Sequence, residues 1–159
     1  CIQFHSSDLP KFRGGSPIQN QILNNVYKTK LSAFKINQKI DDGDICLKSN
    51  ISLYGKAENI YQTIEKKALE MILKISNKKK IIFNKQKGRP TFYSRRNSYQ
   101  SNISYVIDKK LDKIYDFIRM LDADKYPKAY YILGNKKIEL SDVSLDSKSV
   151  KGKFIIIKK

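Results

Sequence analysis

The stretch HSSDLPKFRGGS, residues 5–16, decides how the rest of the chain is interpreted. It follows a short apolar run, residues 1–4, which is typical of the end of a buried strand. The proline and the paired glycines inside the stretch predict a loop. His5, the only histidine among 159 residues, therefore lies where a strand runs into a loop. Such positions commonly present functional side chains.

A second polar group follows His5 after 36 residues. It is the tetrad Asp41-Asp42-Gly43-Asp44, which lies between two apolar segments. An imidazole and a carboxylate on two strand-end loops are the components of a proton-transfer pair. Two plainer interpretations are a polar turn and a cation site. The tetrad lacks the alternation and the later glutamate of a calcium loop, so no metal site is predicted. A lone histidine can likewise simply cap a loop.

Residues 1 to about 85 predict the order strand, helix, strand, strand, helix. Ser16 is the predicted cap of the first helix, and alternating apolar residues predict strands over 30–36 and 45–53. Apolar residues at helical spacing predict a long helix over 57–76. The predicted buried stripes are Ile18, Ile22 and Leu23 in the first helix, and Ile60, Ile64, Ala68, Met71, Ile72 and Ile75 in the second.

Residues 86–159 predict a smaller α+β piece. An extended segment near residue 92 is followed by a helix that Asp108 caps, by a hairpin that turns at Gly134-Asn135, and by a last strand over 150–157. The helix has a predicted apolar face of Leu111, Ile114, Tyr115, Ile118 and Leu121.

The fold class is therefore α/β, with predicted domains at residues 1–85 and 86–159. Three strands and two helices make a thin first domain. We expect it to be the C-terminal half of a Rossmann-like layered domain whose sheet begins in preceding βα units. The chain opens directly on a strand end, without a methionine. The natural protein is therefore expected to begin earlier, or the chain is the product of a decayed gene.

The net charge of +17 is the electrostatic signature of proteins that meet phosphate. The lysines are spread along the chain, and only Lys78-Lys79-Lys80 form a tight cluster, so a solvated surface is favoured over a dedicated nucleic-acid face. Five arginines stand among 27 lysines. A planar, forked hydrogen-bond donor is the expected reason for an arginine at Arg13, at the pair Arg95-Arg96 and at Arg119. Each would donate either to a ligand or to a structural partner.

No stretch is apolar and long enough to predict a membrane span. Cys1 and Cys46 are too few to form a disulfide scaffold or a zinc site, so a cytoplasmic location is expected.

The ordered motifs resemble those of the folate-dependent formyltransferases. In that family a histidine opens an H-x-S-x-L-P-x-x-R-G loop, and an aspartate in a D-x-G-D turn follows on the next strand. The first motif is matched by His5, Ser7, Leu9, Pro10, Arg13 and Gly14, and the second by residues 41–44. Residues 92–97 resemble the family's F-x-R-R-x-P element. Residues 115–122 and 126–130 are similar to the I-R-A-L…Y-P-x-A-F element of the amino-sugar formyltransferases.

The resemblance implies transfer of a formyl group from formyl-tetrahydrofolate to an amine. His5 would donate to the oxyanion and carry the proton, and Asp41 would orient the histidine and act as base. Gln3 stands where most members have a catalytic asparagine, and its amide is one methylene further out. The side chains of His5 and Asp41 should face one cleft, with their closest heavy atoms within about 4–6 Å. The implied cofactor-binding residues are Leu9, Pro10, Gln38, Lys39 and Ile40, and the implied substrate-binding residues are Arg13, Gly14 and Gly15.

The expected acceptor is the amine of a nucleotide-linked amino sugar. The alternative is methionyl-tRNA, whose enzyme resembles this chain but has a long C-terminal barrel. Only 40 residues follow Arg119, which favours the sugar. A remote alternative is a basic RNA-binding module without catalytic activity, although the aromatic strand motif and the G-x-x-G clamp of common RNA readers are missing. A homodimer is possible.

Overall fold

Three strands form the sheet that carries the histidine. In the computed structural model, which describes residues 1–124 and 126–158, β1 (Ile2–His5) pairs antiparallel with β3 (Lys28–Lys35). β3 pairs antiparallel with β4 (Ile45–Ser52), and the register shifts between Ala33 and Phe34. A shift of this kind bends a strand locally. It lies at the end of β3 from which the chain enters the acidic turn.

Two helices accompany this sheet. α1 (Pro17–Leu23) begins where the sequence predicted, but the capping role of Ser16 is wrong, because its backbone is left-handed at φ +47° and its side chain makes no cap hydrogen bond. Leu23 is also wrongly placed in the buried stripe, since it is 39% exposed at the end of the helix.

The second helix, α2 (Ala57–Ser76), has the predicted bounds. Ile60, Met71 and Ile75 are buried, as the helical spacing indicated. Ile72 is 48% exposed, so that part of the predicted stripe is wrong. Ile72 is one residue beyond Met71, which rotates it by about 100° away from the buried side of the helix.

The chain divides into two compact units. The first consists of Cys1–Tyr54 and Ile60–Arg95, and the second of Gly55–Asn59 and Arg96–Lys159. The first unit extends beyond residue 85 because the short β5 (Phe92–Tyr93) pairs in parallel with β2 (Arg13–Gly14). The predicted division into domains at residues 1–85 and 86–159 stays a prediction.

The second unit combines one helix with an antiparallel sheet. α3 (Leu111–Arg119) begins after Lys110, so the predicted cap at Asp108 is wrong; the carboxylate of Asp108 instead contacts neighbouring Lys109. Buried Ile114, Phe117 and Ile118 form the core of the unit together with Met120 and Leu121.

The sheet of the second unit has the order β6-β7-β8. β6 (Ala129–Leu133) and β7 (Lys136–Leu145) flank the predicted Gly134-Asn135 turn, and β8 (Val150–Lys158) follows. Two 3-10 helices, Ser98–Ser101 and Ile103–Tyr105, precede α3. The predicted mixed α/β class is confirmed. None of the helices in the described part of the chain has the length and apolar character needed to cross a bilayer.

Arg119 is an internal structural residue. It is 2% exposed; its Nε donates to Asp116 Oδ1 at 2.7 Å and its Nη1 donates to the Gly55 carbonyl at 2.6 Å. Among the two roles that the sequence left open for this arginine, these contacts favour the structural one.

Replacing Arg119 by alanine should lower the free energy of unfolding by about 3–5 kcal/mol, because a buried Asp116 carboxylate would lose its charged partner. Lys109→Ala removes an exposed ion pair and should cost less than about 0.5 kcal/mol. Urea unfolding of both variants measures the difference. A loss below about 1 kcal/mol for Arg119→Ala would contradict a structural role.

Candidate active site

The imidazole of His5 contacts two oxygen atoms. Its Nδ1 lies 3.4 Å from Asp41 Oδ2, and its Nε2 lies 2.7 Å from the Phe12 carbonyl oxygen. The side chains of His5 and Asp41 are both only 7% exposed. Asp41 Oδ2 also accepts a hydrogen bond of 2.8 Å from the Gly14 N–H. The structure therefore brings the two predicted residues together, within the separation expected from the sequence.

These two acceptors determine which form of the ring fits the site. A neutral imidazole donates from one nitrogen only, whereas the imidazolium donates from both. With a carboxylate at Nδ1 and a carbonyl at Nε2, the imidazolium satisfies both contacts. The ring of His5 therefore lies between two hydrogen-bond acceptors, one of which is the carboxylate of Asp41.

The carbonyl of Phe12 is aimed at His5 by an unusual backbone conformation. Phe12 has φ +56°, in the left-handed region that bulky residues rarely adopt. Its N–H donates to Thr91 Oγ1 at 2.8 Å, and its ring stacks on Tyr93 with the centroids 5.0 Å apart. Such strain persists only where surrounding contacts hold it. Sequence analysis did not identify either Thr91 or Tyr93, because both are far from Phe12 along the chain.

The first half of the loop is fixed by hydroxyl groups. Ser7 Oγ donates to the Lys11 carbonyl at 2.6 Å, and Ser32 Oγ donates to the Ser7 carbonyl at 2.7 Å. Leu9 is 1% exposed, and the carbonyl of Pro10 accepts from the Thr91 N–H. The loop is thus tied both to β3 and to the segment that precedes β5.

Asp8 anchors the same loop to β3 and β4. Its carboxylate lies 2.5 Å from Lys48 Nζ and 3.2 Å from Lys30 Nζ. Burial by itself raises the pKa of Asp8, but the hydrogen bonds and charges of the two lysines outweigh it and lower the pKa below its ordinary 3.8. Asp8 therefore stays ionised at neutral pH.

The acidic turn packs directly on the end of β3. A Cβ on Gly43 would lie 1.6 Å from the Lys35 carbonyl oxygen, so only glycine fits. Gln86 Nε2 donates to the Asp41 and Gly43 carbonyls at 2.8 and 2.9 Å. Sequence analysis missed Gln86, because a glutamine in a lysine-rich stretch looks like an ordinary surface residue.

Arg13 has its guanidinium inside this network. Its Nη1 lies 2.5 Å from Asp42 Oδ1, its Nη2 donates to Gln86 Oε1 at 2.7 Å, and it lies over the Phe92 ring. The residue is 6% exposed. These contacts favour a structural role, and the predicted contact with substrate stays a prediction.

Gly14 and Gly15 pack against the backbone near β5. A Cβ on Gly14 would lie 2.2 Å from the Tyr93 carbonyl oxygen, and one on Gly15 would lie 2.3 Å from Arg95 Cα. The close approach that the sequence suggested at these glycines is therefore an approach of protein to protein. A role in substrate binding stays a prediction for both.

Six of the predicted residues line two separate cavities. Gln3, Gln38, Lys39, Ile40 and Asp41 line one of about 240 Å³, together with Phe34, Ile36 and Asn37. Leu9 lines another of about 340 Å³ with residues 45–48 and 84–87. The candidate catalytic carboxylate and three of the five candidate cofactor residues therefore share a cavity, and Leu9 faces a different one.

Comparison with known proteins places this chain in a family. A family model described as methionyl-tRNA formyltransferase, C-terminal domain, matches residues 98–157. The methionyl-tRNA formyltransferase of Buchnera aphidicola subsp. Acyrthosiphon pisum (strain Tuc7) is 28% identical over 145 residues, which cover 88% of this chain and 45% of that protein.

Solved structures extend the match. The structure of methionyl-tRNA formyltransferase from Clostridium thermocellum is 41% identical with a TM-score of 0.94, and the match covers 100% of this chain and 69% of that one. WlaRD, a sugar 3N-formyltransferase, is 19% identical with a TM-score of 0.68 over 99% of this chain and 64% of its own. This second match shows the fold alone.

The chain therefore belongs to the formyltransferase family. The predicted resemblance is confirmed, as is the prediction that the fold corresponds to the C-terminal part of such an enzyme. The chain spans about half the length of the curated relatives it matches.

Gly14→Ala should cost more stability than Gly55→Ala, although both residues have positive φ, +95° and +84°. At Gly55 nothing lies within 4 Å of the added Cβ, so only the left-handed backbone is penalised, by about 1–2 kcal/mol. At Gly14 the overlap with the Tyr93 carbonyl adds to that penalty. Urea unfolding of the two variants tests this. Equal losses would show that contact with β5 does not require glycine.

Proposed function

We propose that the complete protein transfers a formyl group from a formyl-tetrahydrofolate donor to the amino group of methionyl-tRNA. The observation that carries the proposal is the contact between His5 and Asp41, at 3.4 Å, beside a cavity that Asp41 itself lines. The 41% identity to the Clostridium thermocellum methionyl-tRNA formyltransferase supports the choice of acceptor.

The amino-sugar acceptor expected from the sequence has weaker support. That expectation depended on the few residues after Arg119, yet residues 98–157 match the C-terminal domain of methionyl-tRNA formyltransferases. The sugar enzyme WlaRD resembles this chain at only 19% identity. Methionyl-tRNA, the alternative acceptor in the sequence interpretation, is therefore the better proposal. The cytoplasmic location and the homodimer stay predictions.

A folate donor fits the composition of the 240 Å³ cavity. Apolar Phe34, Ile36 and Ile40 are combined there with the amides of Gln3 and Gln38, as in sites that bind a flat ring with polar edges. WlaRD was solved in the presence of dTDP and 5-N-formyl-THF. When bound, the folate would supply the formyl carbon, and Gln38, Lys39 and Ile40 would line its site.

The residues of the chain would then share the proton and charge transfers. The carboxylate of Asp41 contacts His5 Nδ1 and can accept a proton, either from the ring or from an attacking amine. His5 Nε2 donates to the Phe12 carbonyl. During formyl transfer this N–H could turn to the oxygen that gains negative charge. That oxygen would replace the Phe12 carbonyl as the acceptor, and a charge-assisted hydrogen bond would form.

Gln3 would act at the opening of the site. It is exposed, lies two residues before His5 on β1, and lines the same cavity as Asp41. Side chains two residues apart on a strand point to the same face of the sheet. The amide of Gln3 is therefore available as a second donor to a developing oxyanion, the role that the family resemblance gives to an asparagine at this position.

His5→Ala or Asp41→Asn in the complete protein should reduce formyl transfer at least about a hundredfold, because each removes an acid–base or oxyanion group. Asp108→Asn is the matched control and should retain wild-type turnover, since that carboxylate is exposed beside Lys109. Single-turnover formylation with folded protein is the measurement. Turnover within a few-fold of wild type for either site variant would refute the assigned chemistry.

The acceptor can be identified from salt dependence. If methionyl-tRNA is the acceptor, its affinity should fall by about a thousandfold between about 50 and 200 mM salt, as for proteins that contact six or more phosphates. The KM for the folate donor provides the control and should change little. A gentle salt dependence, with formylation of a nucleotide-linked amino sugar and none of methionyl-tRNA, would restore the sugar acceptor. Binding of tRNA without formylation of either acceptor would favour the interpretation as a non-catalytic RNA-binding module.

A further inference from the structure

Gln86 occupies a distinctive place in the network around Asp41. Its side-chain amide nitrogen donates to the backbone carbonyls of Asp41 and Gly43, at 2.8 and 2.9 Å. Its side-chain oxygen accepts from Arg13 Nη2 at 2.7 Å. One planar group therefore joins the acidic turn to the loop that begins at His5.

The backbone fixes where this amide is presented. Asn84, two residues earlier, forms a reciprocal pair of backbone hydrogen bonds with Ile45, at 2.8 and 2.9 Å. Ile45 is the first residue of β4 and directly follows the acidic turn. The segment that carries Gln86 is thus attached to the strand that leaves the turn, independently of any side chain.

The backbone of Asp41 needs stabilising contacts from outside the acidic turn. Its φ is +50°, in the left-handed region, where a non-glycine residue is held only if the surroundings favour it. The ion pair between Arg13 and Asp42 holds a neighbouring side chain. Among the side-chain hydrogen bonds of the described residues, those from Gln86 reach the carbonyl of Asp41 itself and the carbonyl two residues later.

We infer that Gln86 is a positioning residue: its amide fixes the backbone of the acidic turn so that the Asp41 carboxylate stays between the Gly14 N–H and the His5 ring. The inference rests on the proposed function where it concerns turnover. Its structural part concerns only the contacts of Asp41 and can be measured without any substrate.

Two variants of the complete protein separate the possible causes. Gln86→Met keeps the length of the side chain and removes all three hydrogen bonds. Gln86→Glu keeps the acceptor for Arg13 and removes both donations to the turn. Asn84→Ala is the matched control, because it removes an amide from the same segment and leaves the backbone bonds to Ile45 intact.

The first readout is hydrogen exchange of the Gly14 amide, followed by NMR. Both Gln86 variants should speed this exchange at least about tenfold, because the amide loses a well-placed carboxylate and opens more often. Asn84→Ala should leave it unchanged. The second readout is kinetic: kcat should fall by about 10- to 100-fold while KM for the folate donor stays within about twofold, as for a misplaced catalytic group.

The outcomes distinguish the inference from the proposed function. Wild-type exchange at Gly14 in both Gln86 variants would overturn the inference, even if the wild-type protein formylates methionyl-tRNA. Faster exchange in both variants of a protein that formylates no acceptor would support positioning by Gln86 and refute the proposed function. If only Gln86→Glu were impaired, added charge would be the cause and the inference would fail. If Gln86→Met does not fold, Gln86→Asn takes its place beside Gln86→Glu. The shorter amide of asparagine cannot reach both carbonyls, so the inference predicts that Gln86→Asn speeds the exchange as Gln86→Glu does.

Discussion

The hydrogen bond from the Gly14 N–H to the Asp41 carboxylate is the contact on which the rest of the site depends. It joins two segments that are far apart in the chain, and it places the carboxylate beside His5. It forms only because two glycines admit close backbone contacts. Gly14 lies against the Tyr93 carbonyl, and Gly43 lies against the Lys35 carbonyl. The site is therefore determined as much by the absence of two side chains as by the presence of His5 and Asp41.

Features that depend on neighbours in sequence were predicted well. The bounds of α2 and the hairpin turn at residues 134–135 follow from local spacing, and the structure reproduces both. The capping roles of Ser16 and Asp108 were wrong, because a favourable residue type does not fix the backbone angles or the residue at which a helix begins. The side chains that stabilise the site from a distance, such as Gln86, carried no local signal. Their roles depend on pairing across more than 40 residues.

Arginine is rare in this lysine-rich chain, and its scarcity was informative in an unexpected way. Arg13 and Arg119 are both buried and use the planar guanidinium to contact a carboxylate and a second oxygen acceptor at once. The sequence correctly indicated that these positions need more than a point charge. It did not reveal whether the partner is a ligand or the protein itself, because that depends on long-range packing. The molecule that accepts the formyl group was harder still to predict, because extended surfaces that a short motif does not describe recognise such a substrate.

The left-handed backbone at Asp41 and Phe12 has a consequence for how this protein can evolve or be engineered. Both residues occupy conformations that glycine or asparagine would adopt at lower energy, so selection for thermostability alone would tend to replace them. Replacing Asp41 would remove the carboxylate that contacts His5, and replacing Phe12 would remove the ring that stacks on Tyr93. A laboratory campaign that screens only melting temperature would therefore drift toward more stable variants that lack these two contacts. Libraries should keep positions 12 and 41 fixed and seek stability elsewhere.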